Sequence, residues 1–140
     1  MAFTIKVDIV SAESTVYSGQ AIGVFLMGEL GELGIYPGHS QLLTRLKPGY
    51  IRLQFENNNE AVFYISGGFV EIQPDIVTVL ADTAERAQDI DQMAAVEARE
   101  QAERLLQDKQ GEIDYATVLA ELAQATAQIQ AIARLKKKLR

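Results

Sequence analysis

The chain has 140 residues, 48% hydrophobic and 23% charged, which is typical of a folded globular protein. Its formal net charge of −6 at pH 7 argues against a nucleic-acid partner. The absence of cysteine excludes disulfides, thiolate metal sites and thiol catalysis. No stretch approaches the roughly 20 apolar residues of a membrane-spanning helix, and the alternating first ten residues predict no signal peptide.

The first half of the chain alternates polar and apolar residues, as half-buried β-strands do. The run 3–9 shows this pattern, with Phe3 as its first apolar member. The run 50–65 predicts a hairpin, because asparagines 57–59 tolerate left-handed turn conformations between two strand-like segments. Further short strands are predicted at 69–72 and 76–80. This spacing favours a sandwich or barrel over a parallel sheet covered by helices.

The second half has the composition of helices, because alanine and glutamine are abundant and proline is absent after residue 89. Asp89 or Asp91 is predicted to cap a first helix, Gly111 to end it and Asp114 to cap a second. A short connection predicts that the two helices form an antiparallel hairpin. The first helix presents a face of small residues at Ala95, Ala98, Ala102 and Leu105. The second presents a heptad seam at Tyr115, Val118, Leu122, Ala125, Ile129, Ile132 and Leu139.

A seam lined by alanine buries little apolar area, at about 25 cal/mol per Å². The hairpin is therefore expected to depend on what it packs against. Lys136 interrupts the seam, where an apolar residue would better suit a permanently closed hairpin. Two interpretations remain open from the residues alone: a cap permanently docked on the strands, or a hairpin that moves.

The sequence contains no constellation that favours catalysis. His39 is the single histidine, and the glycine-rich loop at 28–34 lacks the lysine of a phosphate-binding loop. Glu29 and Glu32 within that loop would repel a phosphate. The segment 66–68 is better explained as a tight bend than as a nucleophile turn. No catalytic residue and no metal site is predicted, and the chain is interpreted as a binding or mechanical part.

The glycine-rich loop itself is consistent with a docking edge. Gly28, Gly31 and Gly34 are expected to let the backbone turn sharply. Apolar contact would come from Leu30, Leu33, Ile35 and Tyr36. The competing interpretation is an ordinary hairpin tip with incidental glutamates.

Four stretches carry a resemblance to a known family. They are VSAESTVYSG at 10–19, GELGIYPGHSQLLTRLKPG at 31–49, YISGGFVEIQPDIVTVLAD at 64–82 and the alanine-rich helical tail. Over essentially its whole length the chain resembles the epsilon subunit of bacterial F-type ATP synthase. The resemblance implies an α+β protein with a ten-stranded antiparallel β-sandwich at 1–86 and an antiparallel α-helical hairpin at 87–140. It also implies a non-catalytic subunit of the central stalk, which turns with the rotor.

The partners implied by the resemblance are the γ subunit, the c-ring of the membrane sector and the catalytic α/β head. The chain would couple c-ring rotation to ATP synthesis, at the cytoplasmic face of the bacterial plasma membrane and held there only through the complex. The implied c-ring docking loop comprises Glu29, Leu30, Gly31, Glu32, Leu33, Gly34, Ile35, Tyr36 and Pro37. The implied γ contact comprises His39, Ser40, Gln41 and Leu42.

Two further roles of the hairpin follow from the resemblance. The helices would inhibit ATP hydrolysis by extending into the catalytic head, where a basic tail would contact an acidic segment of the β subunit. That tail comprises Arg134, Lys136, Lys137, Lys138 and Arg140; its alternative role is to interact with the helix C-terminus. A nucleotide motif of some members matches at Ile90, Asp91 and Ala95, but Ala94 replaces its arginine. We therefore expect weak or no ATP binding and no cofactor.

Two rival classes stay open at this point. A small-ligand-binding β-sandwich with a helical adaptor should cluster exposed aromatics on one face, and tryptophan is absent. A hydrolase using the loop carboxylates should turn over a substrate by itself.

Overall fold

The computed structural model describes residues 3–107 and 114–138. Strands come first and helices follow, which confirms the predicted α+β architecture. The strands are β1 Ile5–Ser11, β2 Thr15–Ala21, β3 Gly23–Gly28, β4 Gly31–Ile35, β5 Leu42–Leu46, β6 Gly49–Gln54, β7 Glu60–Ile65, β8 Gly68–Ile72, β9 Ile76–Ala81 and β10 Ala84–Arg86. The helices are α1 Gln92–Gln107 and α2 Tyr115–Lys138.

The ten strands form one sheet that folds over a single core. Its order is β10-β7-β6-β3-β5-β8-β9-β1-β2, and β4 pairs with β3 beside this path. Among the described strands, neighbours run antiparallel except β1 and β9, which run parallel. The fully buried core side chains are Ile5, Val7, Ile9, Val24, Leu26, Ile35, Ile51, Leu53, Phe63, Val70, Val77 and Val79. These alternating residues give each strand one inward face, as a sandwich requires.

The predicted hairpin is confirmed as β6 and β7. Asn57 and Asn58 take the left-handed conformation, with φ of 63° and 62°. Ile51 and Leu53 point into the core. Phe3 departs from its predicted pattern, because it precedes β1 and is exposed.

The segment between β7 and β8 is a tight bend, as predicted. Gly67 and Gly68 have φ of +134° and +142°, a region that side chains rarely adopt. The Ser66 hydroxyl accepts hydrogen bonds from the Thr83 backbone N–H at 3.0 Å and from the Thr83 hydroxyl at 2.7 Å. Ser66 therefore fixes the bend to the chain that enters β10.

The caps of both helices are aspartates. The Ala94 backbone N–H donates to Asp91 Oδ1 at 3.1 Å, so Asp91 is the cap of α1. Asp114 caps α2 and accepts from the Thr117 hydroxyl at 2.8 Å. Hydrogen bonds from Thr117 stabilise that carboxylate and lower the pKa of Asp114. The predicted stop at Gly111 lies outside the described residues.

The two helices form the predicted antiparallel hairpin, and α2 lies between α1 and the sheet. The seam is buried at Val118, Ala125 and Ile132, whereas Tyr115 is half-exposed. On α1, Ala95 and Ala102 are buried but Ala98 is exposed, so the predicted small face is narrower than expected. The seam position Leu139 lies outside the described residues.

The bend at Gly68 provides a test of the fold. A Cβ added there would collide with the Leu80 carbonyl oxygen, in a backbone conformation that is already strained for alanine. Gly68→Ala should lower the free energy of unfolding by about 2 kcal/mol or more. Gly31→Ala is the matched control, since Gly31 has φ of +140° but no atom within 4 Å of the added Cβ. Equal losses for the two variants in denaturant unfolding would contradict the packing described here.

Candidate functional site

The predicted c-ring docking loop is the β3–β4 hairpin and the segment after it. Leu30 stands at the tip with 98% of its surface exposed. Glu29 and Glu32 are exposed on either side of it. Gly31 has φ of +140°, which allows the chain to reverse within two residues. The tip is therefore one large apolar side chain between two carboxylates.

Several residues of this loop do not face outward as the sequence interpretation expected. Ile35 is fully buried, and Leu33 packs against the same core. Tyr36 packs edge-on against Phe25, with ring centroids 5.8 Å apart, but stays 54% exposed, as expected of a docking edge. Gly34 lies within β4 rather than at a turn; a Cβ there would approach the Phe25 ring to 3.3 Å. Gly28 likewise lies within β3, so of the three glycines Gly31 makes the turn.

The predicted γ contact at 39–42 is held by backbone hydrogen bonds. The Gly38 N–H donates to the Pro74 carbonyl at 2.8 Å, and the His39 N–H donates to the Tyr36 carbonyl at 3.2 Å. His39 Nδ1 lies 2.7 Å from the Ser40 carbonyl oxygen. The segment is thus fixed against the β8–β9 turn and leads directly into β5.

An exposed apolar patch continues from this segment across the sheet. It consists of Leu43, Phe69 and Leu80, whose exposed fractions are 67%, 43% and 52%, and we call it the outer-face patch. Phe69 pairs with Leu80 on one side and with Arg45 on the other. The Arg45 guanidinium lies 5.4 Å from the Phe69 ring centroid. Sequence reasoning missed this patch, although each member occupies the outward position of an alternating strand.

The two predicted docking segments adjoin in the structure. A pocket of about 160 Å³ lies between the β3–β4 tip and β5, and Leu30, Leu33, Leu42 and Thr44 line it. Leu42 belongs to the predicted γ contact, and Leu30 to the predicted c-ring loop. The loop and the segment 39–42 therefore adjoin, and Leu42 is followed along β5 by Leu43 of the outer-face patch.

The helical hairpin covers another part of the sheet, through small side chains. Ala127 and Ala131 of α2 pack against Val62 and Tyr64 of β7. Burial, together with the nearby Glu85 carboxylate, raises the pKa of Tyr64 to about 12. Burial and the Asp89 carboxylate also raise the pKa of Glu85. Glu85 of β10 thus lies close to both the Tyr64 phenol and the Asp89 carboxylate.

The residues of the degenerate nucleotide motif have structural contacts of their own. Ile90 packs beside the cluster under α2, and Ala95 is buried at the helix seam. Asp91 accepts the Ala94 N–H as the cap of α1. Ala94 is exposed.

A buried ion pair joins α2 to the sheet, and sequence reasoning missed it. Glu60 opens β7, and its side chain is 3% exposed. Its Oε1 lies 2.9 Å from Arg134 Nη2 of α2 and 3.2 Å from Arg52 Nη1 of β6. Glu60 and Val62 share the outward face of β7. Because Val62 is apolar, it could have indicated from the sequence that another element covers this face. We call Glu60, Arg52 and Arg134 the Glu60 cluster.

The basic tail is partly engaged with the closed hairpin. Lys136 Nζ donates to Gln92 Oε1 at 2.7 Å, which joins the end of α2 to the first residue of α1. Lys136 is exposed, so it joins the two helices at the surface and does not place a charge in the buried part of the seam. Lys137 is exposed, Lys138 ends α2, and Arg140 lies outside the described residues.

Residues 3–107 and 114–138 contain neither a metal-binding cluster nor a membrane-spanning helix. No group of three or more acidic, histidine or cysteine side chains is arranged there to hold a metal ion. In the same residues no helix is both long and apolar enough to cross a membrane.

Comparison with known proteins defines the class. Residues 4–87 match the family model for the β-sandwich domain of the ATP synthase delta/epsilon chain. Residues 88–133 match the model for its long α-helix domain. The ATP synthase epsilon chain of Nitrosococcus oceani is 55% identical over 139 residues, 99% of each chain. The chain belongs to the ATP synthase epsilon-chain family, and is thus a stalk subunit of that enzyme rather than a catalytic one.

Two solved structures share the fold at low identity. A chain in the Euglena gracilis mitochondrial ATP synthase, in an assembly of OSCP, F1 and c-ring, has a TM-score of 0.71 and 20% identity. The match covers 98% of this chain and 82% of that one. A chain in the central stalk and c-ring of the Tetrahymena thermophila enzyme has a TM-score of 0.55 and 13% identity, with 94% and 95% covered.

Proposed function

We propose that this chain couples c-ring rotation to ATP synthesis by holding the γ subunit and the c-ring with one side of its sandwich. The observation that carries the proposal is that the β3–β4 tip adjoins the segment 39–42, which leads along β5 into Leu43 of the outer-face patch. The structural neighbours from Euglena and Tetrahymena come from assemblies that contain a c-ring, which supports the c-ring as a partner here.

The γ contact would consist of the outer-face patch together with His39, Ser40, Gln41 and Leu42. Large apolar side chains that stay exposed beside polar residues mark protein interfaces. Covering Leu43, Phe69 and Leu80 would remove from water most of what each still exposes. A long apolar strip on γ is the complementary surface.

The c-ring contact would be the β3–β4 tip. Leu30 would enter a shallow depression between c-subunit loops, while Glu29 and Glu32 meet polar or basic groups at its rim. Through this contact the chain would sit at the membrane as a peripheral part of the complex, on the cytoplasmic face in a bacterium.

The hairpin would inhibit ATP hydrolysis by leaving the sandwich and entering the catalytic head. An interface of alanines keeps the two arrangements close in free energy. The tail cations Arg134, Lys136, Lys137, Lys138 and Arg140 would contact an acidic segment of the head. This inhibition would not depend on nucleotide binding, because Asp91 caps α1 and Ala94 offers no charge to a phosphate.

The γ contact can be tested with two matched leucines. Leu80 and Leu119 expose 52% and 53% of their surfaces, but Leu80 lies in the outer-face patch and Leu119 on α2. Leu80→Glu should weaken γ binding at least tenfold, because it places a carboxylate in an apolar contact. Leu119→Glu should leave the γ affinity unchanged. The same affinity for both variants, measured by titration with purified γ, would contradict the assignment.

The inhibitory contact can be tested without disturbing the closed hairpin. Replacing Lys137, Lys138 and Arg140 by glutamine retains Arg134 and Lys136, which hold the hairpin closed. An exposed ion pair is worth about 0.2–1 kcal/mol, so losing three should weaken the contact by about 0.6–3 kcal/mol, which is threefold or more. Hydrolysis by the assembled complex should rise while synthesis persists. Arg104→Gln on α1 is the control, and an unchanged hydrolysis rate for the triple variant would refute the anchor.

A further inference from the structure

We propose that Glu60 is the latch of the helical hairpin: it holds α2 on the sandwich by binding Arg134, and Arg52 keeps it in place when α2 leaves. The closed and open hairpins would then differ mainly in one ion pair. The latch itself is a property of this chain alone; its effect on hydrolysis rests on the function proposed above.

The ion pair is important for the docking of α2 because Glu60 is buried. A carboxylate removed from water is strongly unfavourable unless positive groups and hydrogen-bond donors surround it. Only 3% of the Glu60 side chain is exposed, and α2 provides one of its two guanidinium partners. Removing either member of the pair therefore affects the docking of the whole helix.

Arg52 makes the latch reversible. It belongs to β6, next to Glu60 in the same sheet, and its guanidinium is also held over the Phe25 ring at 3.9 Å. When α2 leaves, Glu60 keeps this partner while water reaches its other side. The open state is thus spared an unpaired carboxylate, and the sheet keeps a preformed site for Arg134.

The geometry of the pair leaves room for a second hydrogen bond. Among the described residues, Glu60 Oε2 and Arg134 Nε are buried without a hydrogen-bond partner. The Nε and Nη2 edge of a guanidinium matches the two oxygens of a carboxylate, so a small rotation of Arg134 would satisfy both atoms. A lysine at this position could not make that paired contact.

The rest of the interface is an apolar cluster of Ala127, Ala131 and Leu135 from α2 with Val62 and Tyr64 from β7. The two alanines bury little area, so loss of the ion pair should be measurable beside this cluster. Helix α1 packs mainly on α2 and would follow it. The bond from Lys136 to Gln92 joins the helices to each other, so it persists if they leave together.

The latch also means that Arg134 cannot bind Glu60 and the catalytic head at the same time. In the closed hairpin Arg134 binds Glu60 at 2.9 Å, so it is withheld from any contact with the catalytic head. Under the proposed function, docking on the sandwich and inhibition of hydrolysis therefore compete for the same guanidinium.

The test is a double-mutant cycle read by amide hydrogen exchange of the full-length chain. Glu60→Gln and Arg134→Gln should each accelerate exchange of the α2 amides at least tenfold while the β1 and β9 amides keep their rates. The double variant should show less than the summed effect, because one interaction is lost in both. Glu56→Gln and Arg104→Gln, both at exposed positions, are the matched controls and should change nothing. Arg134→Lys should accelerate exchange of the α2 amides nearly as much as Arg134→Gln does.

Unchanged α2 exchange in both single variants, or strictly additive effects, would overturn the latch. If Glu60→Gln disturbs the sandwich, faster β9 exchange will reveal it, and the Arg134→Gln and Arg134→Lys variants then decide the question. Hydrolysis by the assembled complex should fall in the Glu60→Gln variant, because Arg134 is intact there and no longer held by Glu60. Faster α2 exchange without that fall would preserve the latch and reject the inhibitory role of the hairpin.

Discussion

The folding of one sheet over a single core divides the outer surface of the sandwich, and the rest of the molecule depends on that division. Inward positions of the strands are filled by branched aliphatic residues and Phe63, so whatever binds must use the outward positions. On β6 and β7 the outward positions carry the Glu60 cluster and the contact with α2. On β5, β8 and β9 they carry the outer-face patch, which no described element covers. The helical hairpin and the outer-face patch therefore occupy different outward surfaces of the sheet.

The core of the sandwich is packed more extensively than the contact between the hairpin and the sheet. The core packs large aliphatic side chains that are fully buried, and large-to-small changes in such cores are costly. The hairpin meets the sheet through alanines, a few larger apolar side chains such as Val62 and Leu135, the Tyr64 ring and a partly buried ion pair. A ligand or partner that favours the open hairpin needs only to overcome this smaller set of contacts. This arrangement is consistent with the proposal that the sandwich stays bound to its partners while the hairpin changes position.

The sequence predicted the architecture because its signals were local. The alternation on β6 and β7, the asparagine turn and the caps Asp91 and Asp114 all depend on neighbours within a few residues. The site was predicted less completely because its determinants are distant in sequence. Glu60 and Arg134 are 74 residues apart, and no local pattern reports such a pairing. Leu33 and Ile35 were expected at a docking edge, yet the pairing of β3 with β4 turns both toward the core.

The division of the surface is tested most directly by mapping hydrogen exchange of the chain alone and bound to purified γ. The account predicts new protection at 39–45, in β8 and in β9, with no new protection in α2. Protection that appears on α2 and β6 instead, with β8 and β9 unchanged, would contradict it.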